Sequence, residues 1–157
     1  MPYYLFDKAY RVAESAGVPA HRVVVQSSVE GDCVMPSGEG VGAILGITVH
    51  SQPEAGRRVT VRKAGIAEAT AAAQISPGTP LMVADATGRV KPVVSAGGGP
   101  VNCIGFAESG AAAAGDLVRC SSACTSTRRS RGRGAFLRAR PRTTPPRAAT
   151  DQNTGEV

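Results

Sequence analysis

The residues that could do chemistry are few in this sequence, and they stand far apart. The two histidines, His21 and His50, would have to act as general bases, but neither lies beside a cysteine or serine in a nucleophile motif. The acidic residues occur singly, so the paired carboxylates of a glycoside hydrolase are not expected. We therefore predict that the chain has no catalytic residues and is not an enzyme.

Metal and cofactor sites are not predicted either. The spacing of the four cysteines matches neither a C-x-x-C pair nor the cysteine and histidine set of a zinc site. These cysteines are Cys33, Cys103, Cys120 and Cys124. Asp85 and Gly88 form an Asp-x-x-Gly pattern at a strand end, which is typical of a hairpin turn. The glycines at 97–99 are not followed by Lys-Ser or Lys-Thr, so a phosphate-binding loop is not expected.

Positive charge is concentrated at the C-terminal end of the chain. Residues 1–120 contain ten Lys or Arg and ten Asp or Glu, so the formal net charge of +6 comes entirely from residues 121–157. Arginine mixed with glycine and serine is typical of nucleic-acid-binding tails, but Phe136 is the only aromatic residue there for base stacking. A protein contact and a solvated tail are the alternatives. The candidate basic contact residues are Arg128, Arg129, Arg131, Arg133, Arg138 and Arg140.

The N-terminus contains most of the aromatic residues. Four of the six in the chain lie within its first ten positions; they are Tyr3, Tyr4, Phe6 and Tyr10. The spacing of Phe6, Tyr10 and Ala13 is compatible with a short helix over 7–16, and an extended arm is equally plausible for residues 3–6. These side chains could close one end of the fold, or they could anchor an interface, where aromatic residues are enriched. We treat the four as candidate interface residues.

The middle of the chain contains the same pattern twice. Gly46 and Gly56 recur 59 positions later as Gly105 and Gly115, and Gly31 recurs 57 positions later as Gly88. Short runs rich in valine and isoleucine between Gly and Pro turns favour strands. We therefore predict a mainly all-β fold, a compact barrel-like or sandwich-like domain built from two similar β units. Residues 65–73 have helical propensity, but their position between β units favours a strand over 65–68.

Composition divides the chain into three parts. We predict an aromatic N-terminal arm over 1–20, the duplicated β domain over 21–122, and a flexible Arg-rich tail over 123–157, whose composition does not support a packed core. No run of eighteen apolar residues occurs, so no membrane span is expected. The N-terminus does not have the pattern of a secretory signal.

Several motifs within residues 17–122 resemble those of small phage capsid decoration proteins, also called cement proteins. Each is a turn followed by a strand, and their order and spacing carry the resemblance. In this sequence the motifs are Gly17-Val18-Pro19, VGAILGI at 41–47, EAGRRVTV at 54–61, ISPGTPL at 75–81, DATGR at 85–89, CIGFAE at 103–108 and AAAGDLV at 112–118.

The resemblance implies a compact, often trimeric β domain on the outside of an icosahedral phage head. The implied partners are the major capsid protein and two further copies of the chain. No cofactor or membrane partner is expected, and a nucleic-acid partner is not favoured. The implied location is the outer capsid surface of the virion, after synthesis in the host cytoplasm. The aromatic N-terminus and the Arg-rich tail lie outside the shared motifs. A basic nucleic-acid-binding protein that uses its Arg-rich tail is the alternative function.

Overall fold

The computed structural model describes residues 6–40, 42–94 and 101–127 of the 157-residue chain. These residues form strands and turns without a helix, which confirms the all-β prediction. The strands are β1 Phe6–Val12, β2 Val23–Gln26, β3 Asp32–Val34, β4 Ile44–Thr48, β5 Arg58–Thr70, β6 Pro80–Val83, β7 Val90–Pro92, β8 Val101–Ala107 and β9 Leu117–Thr127. The described part of the chain contains no helix that could span a membrane.

The nine strands form one hydrogen-bonded sheet that curls twice. Its order is β1-β3-β2-β4-β5-β9-β8-β6-β7. The first five strands form a closed barrel, because β1 pairs with β3 in parallel and with β5 in antiparallel orientation. The second curl repeats this order with β5, β9, β8, β6 and β7, and a parallel bridge between Ala71 and Val90 links its ends.

The two curls are the two predicted β units, and they share strand β5. We call residues 6–64 the first unit and residues 65–127 the second unit. Pairings in the first unit recur in the second at offsets of 57 or 59 residues. Equivalent pairs are Tyr10–Val59 and Ala69–Val118, Ile47–Arg62 and Phe106–Ser121, and Val25–Val34 and Met82–Lys91. The duplication read from the sequence is therefore confirmed, residue by residue.

Glycine conformations repeat with the same offsets. The φ angles of Gly46 and Gly105 are 152° and 156°, and those of Gly31 and Gly88 are 81° and 70°. Side-chain-bearing residues rarely adopt these conformations, so glycine is required there. At Gly46 a Cβ atom would also collide with the carbonyl oxygen of Arg62 on the neighbouring strand.

Each unit has its own hydrophobic core. Every member of the smaller core has a counterpart at an offset of 57 or 59 in the larger one. In order, the pairs are Tyr10 and Ala69, Val12 and Ala71, Val18 and Ile75, Val24 and Leu81, Cys33 and Val90, Leu45 and Ile104, Val59 and Val118, and Val61 and Cys120. The repeat therefore includes the inward-facing core positions as well as the turns.

The predicted short helix over 7–16 is wrong, because residues 6–12 form β1. The relevant period is two: Tyr10 and Val12 are 3% and 1% exposed, whereas Ala9 and Arg11, on either side of Tyr10, are exposed. Backbone hydrogen bonds to β3 and β5 hold this segment in an extended conformation. By contrast, the predicted strand over 65–68 is confirmed, because these residues lie in β5 and pair with β9.

The first unit docks on the second through its own strand β2. The amide of Val23 donates to the carbonyl of Gly88 at 2.8 Å, and the amide of Thr70 donates to the carbonyl of His21 at 2.9 Å. Val23 and Ile47 are almost fully buried and belong to the core of the second unit. His21 has a φ of 57°, the only positive value among the described non-glycine residues. This junction therefore fixes the two units against each other.

In the first unit, the backbone groups equivalent to those of Thr70 and Gly88 bond to each other. The amide of Arg11 donates to the carbonyl of Gly31 at 3.0 Å. The Arg11 guanidinium also donates two hydrogen bonds of 2.8 Å to the Asp32 carboxylate, whose side chain is 7% exposed. The hydrogen bond from Arg11 lowers the pKa of Asp32; burial opposes this shift, and the charge of Arg11 adds to it.

The junction predicts unequal effects of alanine at two equivalent turns. A Cβ atom on Gly88 would lie 2.5 Å from the carbonyl oxygen of Val23, whereas one on Gly31 would meet nothing within 4 Å. Both substitutions cost about 1–2 kcal/mol for the positive φ, and overpacking should add about 1–3 kcal/mol to Gly88→Ala alone. Urea unfolding followed by circular dichroism measures both, and equal losses would contradict a tight contact between the units.

The pair formed by Arg11 and Asp32 predicts a pH-dependent contribution to stability. Because the pKa of folded Asp32 lies below its ordinary value of 3.8, the pair stabilises the fold above that pH, and the contribution is lost as pH falls through the lowered pKa. Asp32→Asn should therefore destabilise the protein at pH 7, and the difference from wild type should shrink below about pH 4.

Thermal unfolding of wild type and Asp32→Asn between pH 2 and 7 measures this difference. The matched comparison is Asp32→Asn in an Arg11→Gln background, where the pH dependence of the difference should be much smaller. A difference that stays constant across the pH range in the wild-type background would contradict the assignment.

Candidate interaction surfaces

The acidic and histidine side chains of the described residues do not form a metal site. No group of three or more His, Cys, Asp or Glu among these residues could hold a metal ion. Asp85 lies in the hairpin turn predicted from its motif: its Oδ1 accepts the amide of Thr87 at 2.9 Å, and its Oδ2 accepts Nε of Arg89 at 2.8 Å. Burial acts to raise the pKa of Asp85, but these hydrogen bonds outweigh it and lower the pKa.

Two of the cysteines are buried thiols. Burial raises the pKa of Cys33 to about 11 and that of Cys120 to about 12. Since the thiolate is the reactive and metal-binding form, neither group is suited to nucleophilic chemistry near neutral pH. Cys33 lies in the first core and Cys120 in the second, and the equivalent positions hold Val90 and Val61, so both thiols pack as small apolar side chains.

A cleft of about 230 Å³ lies at the junction of the two units. His21 and Glu68 meet there, with 4.0 Å between Nδ1 and Oε2, and Arg119 lies opposite Glu68 on β9. The hydroxyl of Thr48 donates to the carbonyl of Pro19 at 2.7 Å, so it supports the backbone of the junction. Sequence reasoning missed this cleft because its residues come from distant segments. Its polar groups can orient a contacting chain, but they do not form a nucleophile and base pair.

A second cleft, of about 420 Å³, contains an unusual arginine. The Nε and Nη1 atoms of Arg22 are buried and have no hydrogen-bond partner among the described residues. Burial lowers the pKa of Arg22, and the nearby charge of Arg89 adds to this effect. Glu14 and Thr87 also line the cleft. A carboxylate is the group that would best satisfy such a guanidinium.

The structure gives the two described aromatic candidates different environments. Phe6 is 56% exposed at the start of β1. Tyr10 is 3% exposed, packs in the first core, and has the Nζ atoms of Lys8 and Lys63 at 5.2 and 5.8 Å from its ring centroid. Tyr3 and Tyr4 lie outside the described residues, as do the glycines at 97–99. The six candidate arginines from Arg128 to Arg140 also lie outside the described residues.

A further apolar surface, on the outer face of the second unit, was not identified from the sequence. Phe106 and Leu117 are 56% and 48% exposed on β8 and β9, and Val94 is 59% exposed after β7. The signal that could have found it is the repeat itself, because Phe106 occupies the position equivalent to Ile47. A large apolar side chain exposed on a sheet face, as Phe106 is, marks a candidate interaction site.

Comparison with known proteins agrees with this architecture. No curated protein matches the chain. The crystal structure of the head fiber gp8.5 N base of bacteriophage phi29 has a similar fold, with a TM-score of 0.58 and 16% sequence identity over 80% of this chain and 99% of that one. The family model described as phage cement protein matches residues 8–122. The strands, junction and cores described above lie almost entirely within this range, and the chain belongs to the phage cement protein family.

Proposed function

We propose that this protein decorates the outer surface of the phage head, where it binds the assembled major capsid protein as a homotrimer and stabilises the shell. The observation that carries the proposal is the family match over residues 8–122. As a member of that family the chain is a capsid-associated structural protein of a phage. The outer surface, the capsid partner and the trimer are the finer parts of the proposal.

The double-barrel body suits a protein that stabilises by binding. A ligand that binds only the assembled lattice shifts the equilibrium toward that lattice by mass action. Threefold symmetry would let one molecule contact several equivalent capsid subunits, and linked contacts gain affinity through effective concentration. A body held by two cores and by the tight junction at Gly88 would lose little conformational entropy when it binds.

We place the capsid contact at the start of β1. Phe6 is exposed there, and Tyr3 and Tyr4 lie three and two residues before it in the chain. Aromatic side chains combine a large contact area with few rotatable bonds, which makes them effective interface anchors. Tyr10 is buried in the first core, so the proposed contact does not include it.

The Arg-rich tail is proposed as a second, electrostatic contact. Its arginines would meet an acidic surface of the shell or a neighbouring copy, because the rest of the sequence is formally neutral. Attraction of this kind accelerates association and weakens as salt increases. The tail therefore extends the contact without changing the body.

Substitution of Phe6 tests the capsid contact. Phe6→Ser should weaken binding to undecorated heads at least tenfold, because it removes an anchor, while the melting temperature of the free protein should change little. Binding is measured by co-sedimentation with heads, and melting by circular dichroism. Deletion of residues 2–10 is not a suitable test, since it would also remove Tyr10 from the core.

Val29→Ser is the matched control, because Val29 is 51% exposed in the turn between β2 and β3, which contacts β1 at Arg11 and not at Phe6. This variant should bind heads like wild type. Wild-type protein that fails to bind heads would overturn the proposed function. Unchanged binding of Phe6→Ser would overturn the assignment of the contact to β1.

Removal of the tail tests the alternative function. A chain ending at Thr127 keeps the complete body and should lose most of its salt-dependent affinity for duplex DNA, while it still binds heads. The measurement is a titration with duplex DNA at two salt concentrations. Full-length protein that binds duplex DNA tightly but does not bind heads would favour the nucleic-acid-binding function instead.

A further inference from the structure

The outer face of the second unit contains a row of side chains that runs across five strand positions. Residues directly opposite each other in an antiparallel pair share a face of the sheet. Phe106 is opposite Pro80 on β6 and Ser121 on β9, and Ser121 is opposite Ile66 on β5. Val93 extends the row, because its amide donates to the carbonyl of Pro80 at 2.9 Å. We call these five residues the Phe106 row.

The equivalent row of the first unit is an interface. Its residues are Pro36, Val23, Ile47, Arg62 and Asp7, at offsets of 57 or 59. Pro36 is buried, and Val23 and Ile47 are 0% and 1% exposed because they pack into the core of the second unit. The same position in the repeat therefore already packs against a β unit of this fold.

The Phe106 row is more apolar than its counterpart, and Phe106, Pro80 and Val93 are less buried than the residues at the equivalent positions. Phe106 is 56% exposed, although the equivalent Ile47 is buried. The ion pair of Arg62 and Asp7, with 2.8 Å between Nε and Oδ1, is replaced by Ser121 and Ile66. Loss of the ion pair extends the apolar surface from Val93 to β5. Such a row is suited to burial against another protein surface.

A second copy of the chain cannot bind by repeating the contact that joins the two units. In the second unit, Thr70 and Gly88 bind the backbone of the first unit. The equivalent residues of the first unit, Arg11 and Gly31, bind each other instead, and Asp32 reinforces the closure. The first unit of a second copy therefore has these backbone groups already bonded to each other. A closed first unit prevents the open-ended, head-to-tail polymer that a repeated interface would otherwise build.

We propose that the Phe106 row is the contact surface between copies of this chain, with the rows of neighbouring copies facing one another around a symmetry axis. Phenylalanine, proline and valine side chains are self-complementary, so like rows can pack without unpaired charges. The proposal rests on the proposed function, because it names the surface that holds the proposed homotrimer together.

Sedimentation velocity of the full-length chain over a range of concentrations tests the proposal. Wild type should sediment as an oligomer, and Phe106→Ser should weaken association at least tenfold, giving monomer at concentrations where wild type is assembled. Val29→Ser is the matched control, because Val29 has a similar exposure of 51% but lies outside the row; it should assemble like wild type. Ser121→Arg, which introduces the residue found at the equivalent position of the first unit, should weaken association independently.

Melting temperatures show whether each variant is folded. If Phe106→Ser does not fold, the association of Ser121→Arg decides the result. A wild-type chain that remains monomeric at every concentration would overturn the proposal, as would wild-type association in both row variants. Head binding is measured separately. An oligomer that does not bind heads contradicts the proposed capsid binding alone, whereas a monomer that binds heads contradicts this inference and the proposed homotrimer but leaves the capsid binding standing.

Discussion

The whole architecture depends on the sharing of strand β5 by both units. Ala64, near its middle, pairs with Phe6 of β1 on one side and with Ala123 of β9 on the other. Inward-facing Val59 belongs to the first core, and Ala69, on the same strand, belongs to the second. Because side chains alternate along a strand, a register slip of one residue would turn inward-facing residues of both cores toward solvent. The two units are therefore expected to be coupled through one strand.

The junction makes that coupling rigid. Gly88 is a turn residue with a positive φ, and it is also the point where the backbone of Val23 approaches most closely. Its equivalent, Gly31, has the same turn conformation but no neighbour within 4 Å of an added Cβ atom. The same turn is therefore used in two ways. At Gly88 it contacts the other unit, and at Gly31 it belongs to the end of the first unit that is closed by its own residues. A stiff body of this kind suits a capsid-associated structural protein.

Comparison of the two units distinguishes the core positions, which folding requires to be apolar, from the outer-face positions, which can differ between the units. All eight positions of the first core are apolar again in the second, although Tyr10 becomes Ala69. On the outer face, by contrast, buried Ile47 becomes exposed Phe106, and Arg62 becomes Ser121. Residues inside a barrel are constrained by packing density, while residues outside it can change to suit a partner. The outer faces, and not a polar cleft, are therefore where this fold can acquire specificity.

Features that depend on local geometry could be predicted from the sequence. Glycine spacing revealed the duplication because turns with positive φ require glycine, and the Asp85 motif revealed a hairpin because its carboxylate accepts hydrogen bonds from nearby amides. Packing between distant segments makes residues 6–12 a strand, buries Tyr10 while Phe6 is exposed, and covers Ile47 while Phe106 is not covered. The hydrogen-bond partners of β1 and the surfaces that cover each row come from residues distant in the chain. Local spacing contains no information about which of two equivalent surfaces another element will cover.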